Sequence, residues 1–443
     1  MKRLYGMPGR RPPGLPEADF LIRNIGQLLT LDGENRPRRG AAARELGILE
    51  DVALAARNGV VVGIGPEEDL LLSIPLTDDA VVVDARRGVV CPGFVDPHTH
   101  LVFGGWRHEE YSMRCQGASY LEIAAKGGGI NSTVAATRSA SYEELSKRTF
   151  EFLDTMLASG TTTCEAKSGY GLDAESEVKQ LHIARRCSES HAVTVVNTFL
   201  GAHAVPPEFR GNQAGYVQEV INMLPAVKGL DLARFVDVFC DAGAFTIEET
   251  RAILEAARDL GFGLKVHADE LEWTGATELA CELGAVSCDH LIKVSDRGIE
   301  ALANSNTIAV LLPATSTFLG KHPGAPARRM LDEGVAVAIG TDFNPGTSTA
   351  MSMPLTMTLA CSTLGMSLEE ALVASTWNAA WAVGLGGRAG ALSPGFPADA
   401  VIFRASHYGE IPYRFGVNLV STVVKNGRVV YMDRDMVGQR RSQ

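Results

Sequence analysis

The eight cysteines (Cys91, Cys115, Cys164, Cys187, Cys240, Cys281, Cys288 and Cys361) include no CxxC pair and no dense cluster. Scattered over 443 residues, they exclude a disulfide scaffold and fit reduced thiols, so a cytoplasmic protein is expected. No apolar run approaches the ~18 residues of a membrane helix. The opening stretch MKRLYGMPGRRPPGLPEADF holds Pro and Gly where a signal peptide needs an apolar segment. Residues 1–18 therefore read as a solvated, flexible leader, and the Arg10-Arg11 pair as part of it, not as a twin-arginine signal. Positive charge is in short supply as well. With 52 acidic against 41 basic residues and a net charge of -11, neither nucleic acid nor an anionic membrane is expected as a partner. The Gly127–Gly129 run is not followed by the Lys and Ser/Thr of a phosphate-binding loop. What remains, 46% hydrophobic and 21% charged residues, is the composition of an ordinary folded protein.

Beyond the leader, short runs rich in Val, Ile and Leu (DFLIRN, QLLTLDG, LGILED, VALAARNGVVVGIGP, AVVVDARRGVV) are separated by Asp-Gly and Asn-Gly pairs. Such pairs favour hairpins, so residues 19–90 predict a small antiparallel sheet. From Cys91 the pattern changes to compact apolar strands alternating with longer helical stretches, which predicts a parallel sheet covered on both faces. The strands are VVCPGFVDPHTH, TTTCEAKSG, TVVNTFLGAH, FVDVFCD, GLKVHADE, AVSCDHL, IAVLLPAT and VAVAIGTDFN. Eight βα units are what a closed barrel requires. Between them, segments such as SYEELSKRTFEFLDTMLASG place Leu145, Phe152, Leu153 and Met156 near helical spacing, as outer-ring helices do. The tail, with ADAVIFRA and LVSTVVKNGRVVYMD, returns to β character. The expected fold is α/β: a (β/α)8 TIM-like barrel at 91–388, inserted in a small β-sandwich domain built from both chain ends, 19–90 and 389–443.

Polar residues gather at the ends of these strands, the end of such a barrel that carries the active site. In DPHTH, His98 and His100 are two residues apart, so in an extended strand both imidazoles point to one side and can share a cation. VHADE ends with His267 and Glu270, SCDHL with Asp289 and His290, and AIGTDFN with Asp342. Each alone reads as a helix cap or a satisfied core residue. Together they need partners or a metal, because buried imidazoles and carboxylates are costly without them.

This order of residues resembles the amidohydrolase superfamily of metal-dependent hydrolases. More narrowly, HTHLVFGGWR, KGGGINSTV, EAKSGYGL, GAHAVP, HADE and TDFNPGTS are similar to the imidazolonepropionase family, which opens 4-imidazolone-5-propanoate to N-formimidoyl-L-glutamate in histidine degradation. The resemblance implies one divalent ion, zinc or iron, held by His98, His100, His267 and Asp342. It implies catalytic roles for His290, Glu270 and Asp342, and substrate contacts from Arg107, Tyr120, Tyr170, His203, Glu270, Asn344, Gly346 and Thr347. Arg107 suits a carboxylate, since its planar fork binds one bidentately. Some relatives bridge two ions with a modified lysine on the fourth strand, but FVDVFCD has none. Lys167, on the second strand, is expected to be a salt-bridged barrel residue. The expected partners are a small carboxylate-bearing substrate and a second copy of the chain. Two rival readings stand beside this one. A cyclic-amidine deaminase of the same superfamily would share the metal ligands but has no need of an Arg aimed at a carboxylate. A noncatalytic assembly protein on the same fold would be marked by missing ligands.

Overall fold

The structure, a computed structural model, describes residues 17–117, 128–320 and 323–433. Eight strands follow one another around the barrel: β6 (Phe94–Asp96), β7 (Thr161–Lys167), β8 (Thr194–Ala202), β9 (Phe235–Cys240), β10 (Gly263–Ala268), β11 (Ser287–His290), β12 (Ile308–Leu311) and β13 (Val337–Ile339). They are the eight apolar runs read from the sequence, and each pairs in parallel with the next. Buried on both faces, such strands read as continuous apolar segments. The first and last meet just beyond their ends. There Thr99 bridges Phe343 in parallel, Asp342 N donates to His98 O (3.0 Å) and His100 N donates to Phe343 O (2.8 Å). The Asp96 carboxylate adds the Thr341 amide (3.0 Å) and hydroxyl (2.6 Å) to the same seam.

Helices cover the outside. The helix Tyr142–Ala158 opens on a Ser141/Glu144 capping box and buries Leu145, Phe152, Leu153 and Met156, because its apolar residues recur on one face. No helix among the described residues is long and apolar enough to cross a membrane.

The two chain ends build a second sheet from β1 (Ala18–Leu29), β2 (Ile48–Arg57), β3 (Val60–Gly65), β4 (Leu76–Asp84), β5 (Val89–Pro92), β14 (Ala400–Phe403), β15 (Val420–Lys425) and β16 (Arg428–Met432). Its order is β16-β15-β14-β5-β1-β2-β3, with β4 also paired to β1. β5 and β14 pair antiparallel and join the two ends of the chain. The sheet is mixed where an antiparallel one was expected: β4 and β5 run parallel to β1, because the helix Glu67–Ser73 carries the chain across between β3 and β4. Asn58-Gly59 and Asn426-Gly427 make the tight hairpins that their sequences predict, all four residues having positive φ. Asp32-Gly33 does not. From there the chain leaves the sheet, and the buried Arg38 holds the excursion by donating to Leu31 O (2.6 Å) and Asp32 O (2.9 Å) while its amide reaches Asn378 Oδ1 (2.8 Å) in the barrel.

Candidate metal centre

The barrel seam sets the first part of the site. His98 and His100 follow β6, and the backbone bonds to Asp342 and Phe343 bring the end of β13 against them. β10 contributes His267 and β11 contributes His290. His98, His100, His267, His290 and Asp342 are all buried. Ring centroids lie 4.6 Å apart for His98 and His267, 5.1 Å for His267 and His290, and 5.4 Å for His98 and His100. The ligating atoms of His98, His100 and His267 fall within 4.8 Å of one another, and so do those of His98, His290 and Asp342. Both sets contain His98, and Asp342 Oδ1 lies near Nε2 of both His98 and His100, so the two converge on one place.

The Asp342 carboxylate is held from two sides. Thr315 Oγ1 donates to its Oδ2 (2.6 Å) and Asn344 Nδ2 to its Oδ1 (3.1 Å), while Oδ1 lies 3.4 Å from His98 Nε2 and 3.7 Å from His100 Nε2. His290 and Asp342 both have positive φ, 77° and 51°. Strained backbone of this kind persists only where the surroundings enforce it, and it concentrates at functional sites.

Burial and Lys167 both disfavour an imidazolium at His98, yet the carboxylates of Asp289 and Asp342 outweigh them and raise its pKa to about 9. Burial, together with the neighbouring histidines, pushes His100 and His267 well below their ordinary value. Burial brings His203 down to about 4. Burial alone would raise the Asp342 carboxyl, but His98, His290 and His100 hold it below the usual carboxylate range. The cluster thus favours one positive charge among its rings and resists a second. His98 Nε2 and His267 Nε2 are buried without a hydrogen-bond partner, an expensive condition for polar atoms. A single cation placed between them meets both demands, and three imidazoles with one carboxylate are a donor set suited to a borderline divalent ion.

The other residues singled out in the sequence lie around this cluster. His203 stacks on His100 (4.9 Å between centroids), and Tyr170 is 5.6 Å from His100 and 5.3 Å from His203. Glu270 Oε2 is 3.6 Å from His290 Nδ1. Arg107 donates through Nε (3.0 Å) and Nη2 (2.9 Å) to Glu110 Oε2, and its Nη1 lies against Gly346, where a Cβ would come within 2.1 Å. Asn344 Oδ1 accepts from the amides of Gly346 and Thr347, each at 2.8 Å, and its Nδ2 donates to Thr347 Oγ1 (2.7 Å). Asn344 and Thr347 therefore shape the loop beneath Arg107. Tyr120 lies outside the described residues.

Sequence reasoning missed several partners. Asp241, at the end of β9, accepts from the amides of Glu270 (2.7 Å), Leu271 (2.9 Å) and Glu272 (3.1 Å) and so fixes where Glu270 begins. Asp237 is another, and an aspartate in the apolar run FVDVFC is itself a signal, since a buried charge must have a partner. Lys167 is a salt-bridged barrel residue, 2.6 Å from Asp237 Oδ2.

Comparison with known proteins matches the amidohydrolase family to residues 89–430. The imidazolonepropionase of Bacillus cytotoxicus is 47% identical over 417 residues, 94% of this chain and 98% of its own length. That of Symbiobacterium thermophilum is 48% identical over 424 residues, 95% of this chain and 99% of its own length. Among solved structures, Escherichia coli guanine deaminase superposes with a TM-score of 0.69 at 18% identity, covering 94% of this chain and all (100%) of that one. A zinc-bound adenosine deaminase from Xanthomonas campestris gives 0.68 at 18% identity, over 96% of this chain and 97% of that one. At such identities these two speak for the fold alone. The family match and the two relatives of near-complete length place the chain in the amidohydrolase family and, within it, among the imidazolonepropionases.

Proposed function

We propose that the chain hydrolyses the ring C–N bond of 4-imidazolone-5-propanoate to give N-formimidoyl-L-glutamate, with His98, His100, His267 and Asp342 holding one zinc or iron ion. The observation that carries this reading is an arginine at the same mouth as the histidine cluster. Arg107 Nη1 lies against Gly346, in the loop that Asn344 ties to the Asp342 carboxylate, so one short segment joins a carboxylate-binding fork to the metal centre. A propanoate tail on Arg107, with hydroxyl help from Tyr170, sets the ring over the histidines, where His203 offers a flat face. When bound, the metal supplies a Lewis acid that polarises a carbonyl and lowers the pKa of water from about 15.7 toward about 7.

The rest falls to the side chains. His290 and Asp342 are placed to take the proton of the attacking water. Water adds to the ring carbonyl carbon, the bond from that carbon to the ring nitrogen breaks, and the carbon becomes the new carboxylate. The departing nitrogen needs a proton, and Glu270, its backbone anchored by Asp241, is placed to hold that nitrogen and hand the proton over. Asn344, Gly346 and Thr347 keep Arg107 in line.

Incubation with freshly generated imidazolone propanoate tests this. Loss of its ultraviolet band should accompany a product heavier than the substrate by one water, with no ammonia released. Ammonia release from an amino-bearing heterocycle such as cytosine or guanine, with the imidazolone left unchanged, would support the deaminase reading instead, and turnover of neither would leave the assembly reading.

A further inference from the structure

Beneath the histidines, five charged side chains are sealed in the barrel: Glu165, Lys167, Asp237, Lys265 and Asp289, none more than 1% exposed. The Lys167 ammonium is their hub, 2.6 Å from Asp237 Oδ2, 3.0 Å from Glu165 Oε2 and 3.3 Å from Asp289 Oδ2. The two aspartates use the same oxygens a second time. His98 Nδ1 donates to Asp289 Oδ2 (2.6 Å), and His267 Nδ1 lies 3.0 Å from Asp237 Oδ2, off the line of a hydrogen bond. Their other oxygens are fixed too, Asp237 Oδ1 by the His267 amide (3.2 Å) and Asp289 Oδ1 by Ser287 Oγ (2.7 Å). One ammonium therefore grips both carboxylate oxygens that face the Nδ1 edges of His98 and His267. On the far edge of each ring, Nε2 has no hydrogen-bond partner.

We propose that Lys167 is a positioning residue of the metal centre: its ammonium holds Asp237 and Asp289 where each faces the Nδ1 edge of a histidine, leaving Nε2 of His98 and His267 for the metal. The inference rests on the reading of those histidines as ligands. Groups that orient a ligand histidine typically change metal affinity 10- to 100-fold when lost, and Lys167 acts on two such groups at once. Lys265 provides an internal contrast. It is equally buried, but its ion pair is with Glu165 (2.8 Å), whose carboxylate comes within 4.8 Å of a His98 nitrogen yet, unlike those of Asp237 and Asp289, pairs with no histidine among the described residues.

The test loads the full-length protein with one equivalent of cobalt(II) and reads the visible d–d spectrum and the affinity against a competing chelator. Lys167→Met is expected to shift the spectrum and to weaken cobalt at least about tenfold, while Lys265→Met keeps the wild-type spectrum. Because Lys167→Met leaves buried carboxylates without their cation, the charge-balanced pair Lys167→Met with Glu165→Gln is made alongside it and should shift the spectrum in the same way. A folded Lys167 variant with wild-type spectrum and affinity overturns the inference, as does an equal shift from Lys265→Met. If both Lys167 variants fail to fold while Lys265→Met folds, Lys167 serves the fold and the inference also fails. Absence of a histidine-ligated spectrum in the wild type would bring down the metal-site reading itself, an outcome distinct from all of these.

Discussion

A guanidinium has five N–H groups, and at Arg107 two of its nitrogens, Nε and Nη2, are spent on a single oxygen of Glu110. The other Glu110 oxygen accepts from Gly129 N (2.9 Å) and Ser132 Oγ (3.2 Å), so the pair is anchored to the segment that follows. Nη1 has no partner among the described residues and lies over Gly346. Arg107→Gln should therefore weaken binding of a propanoate substrate by about 2 to 3 kcal/mol, read as a raised KM, with metal content unchanged. Arg107→Lys should recover only part of this, because a point charge does not reproduce the fork. The deciding comparison is a ring analogue lacking the carboxylate, which the wild type should handle poorly and the Arg107 change should harm little further; equal losses on both would assign Arg107 to the loop instead. Arg107 was legible in the sequence through the motif it sits in. Glu110 was not, since an acid three residues along a helix looks like any solvated surface pair, and only the fold shows Gly129 and Ser132 closing over it.

Among the elements, the eight barrel strands were legible because each is an apolar run ending in polar residues, and the period of the intervening helices is strong. Connections were less so. Asp32-Gly33 carries the local signature of a hairpin, but a buried arginine and a contact more than three hundred residues away override it, and no short-range pattern encodes that. Glu370 is a similar case. In the sequence it is the N3 residue of the capping box that opens the helix Leu368–Ala374. In the fold its carboxylate also binds Arg328 Nη1 (2.8 Å) and Arg44 Nε (2.9 Å), tying two further segments to that helix. Burial would raise its pKa, but Arg328, the Ser367 amide and Arg44 together lower it. A carboxyl whose folded-state pKa is depressed stabilises the fold above its unfolded pKa, and that contribution is lost as pH falls through the folded value. Glu370→Gln should thus cost about 1 to 2 kcal/mol at neutral pH, the arginines being partly exposed. The deficit relative to wild type should narrow below the usual carboxylate range. Denaturant unfolding at both pH values checks this, and a deficit that stays constant would show that the charge is not the cause.

At the scale of the whole molecule, closing the barrel and building the metal centre are one event. The seam between β6 and β13 is made by the backbone of His98, His100, Asp342 and Phe343, so the residues that would bind the ion also complete the ring of strands. The ligand candidates were legible because chemistry-bearing residues at successive strand ends stand out against apolar runs. Which charges pair in the layer under them was not, since Glu165, Asp237 and Lys265 lie inside strands whose sequence gives no register between neighbours. Without a cation the seam carries buried imidazole nitrogens that lack partners and carboxylates gathered around too little positive charge, which is costly. Metal binding should therefore stabilise the entire fold: an ion that binds only the folded chain contributes about 4 kcal/mol when its free concentration exceeds Kd about a thousandfold. Exhaustive chelation should lower the Tm, and restoring zinc or iron should bring it back. His267→Ala, lacking one of the four candidate ligands, should melt near the chelated wild type and respond little to either treatment. Should loaded and chelated wild type melt together, with metal content confirmed by elemental analysis, the coupling of seam and site would be wrong even if catalysis still required the ion.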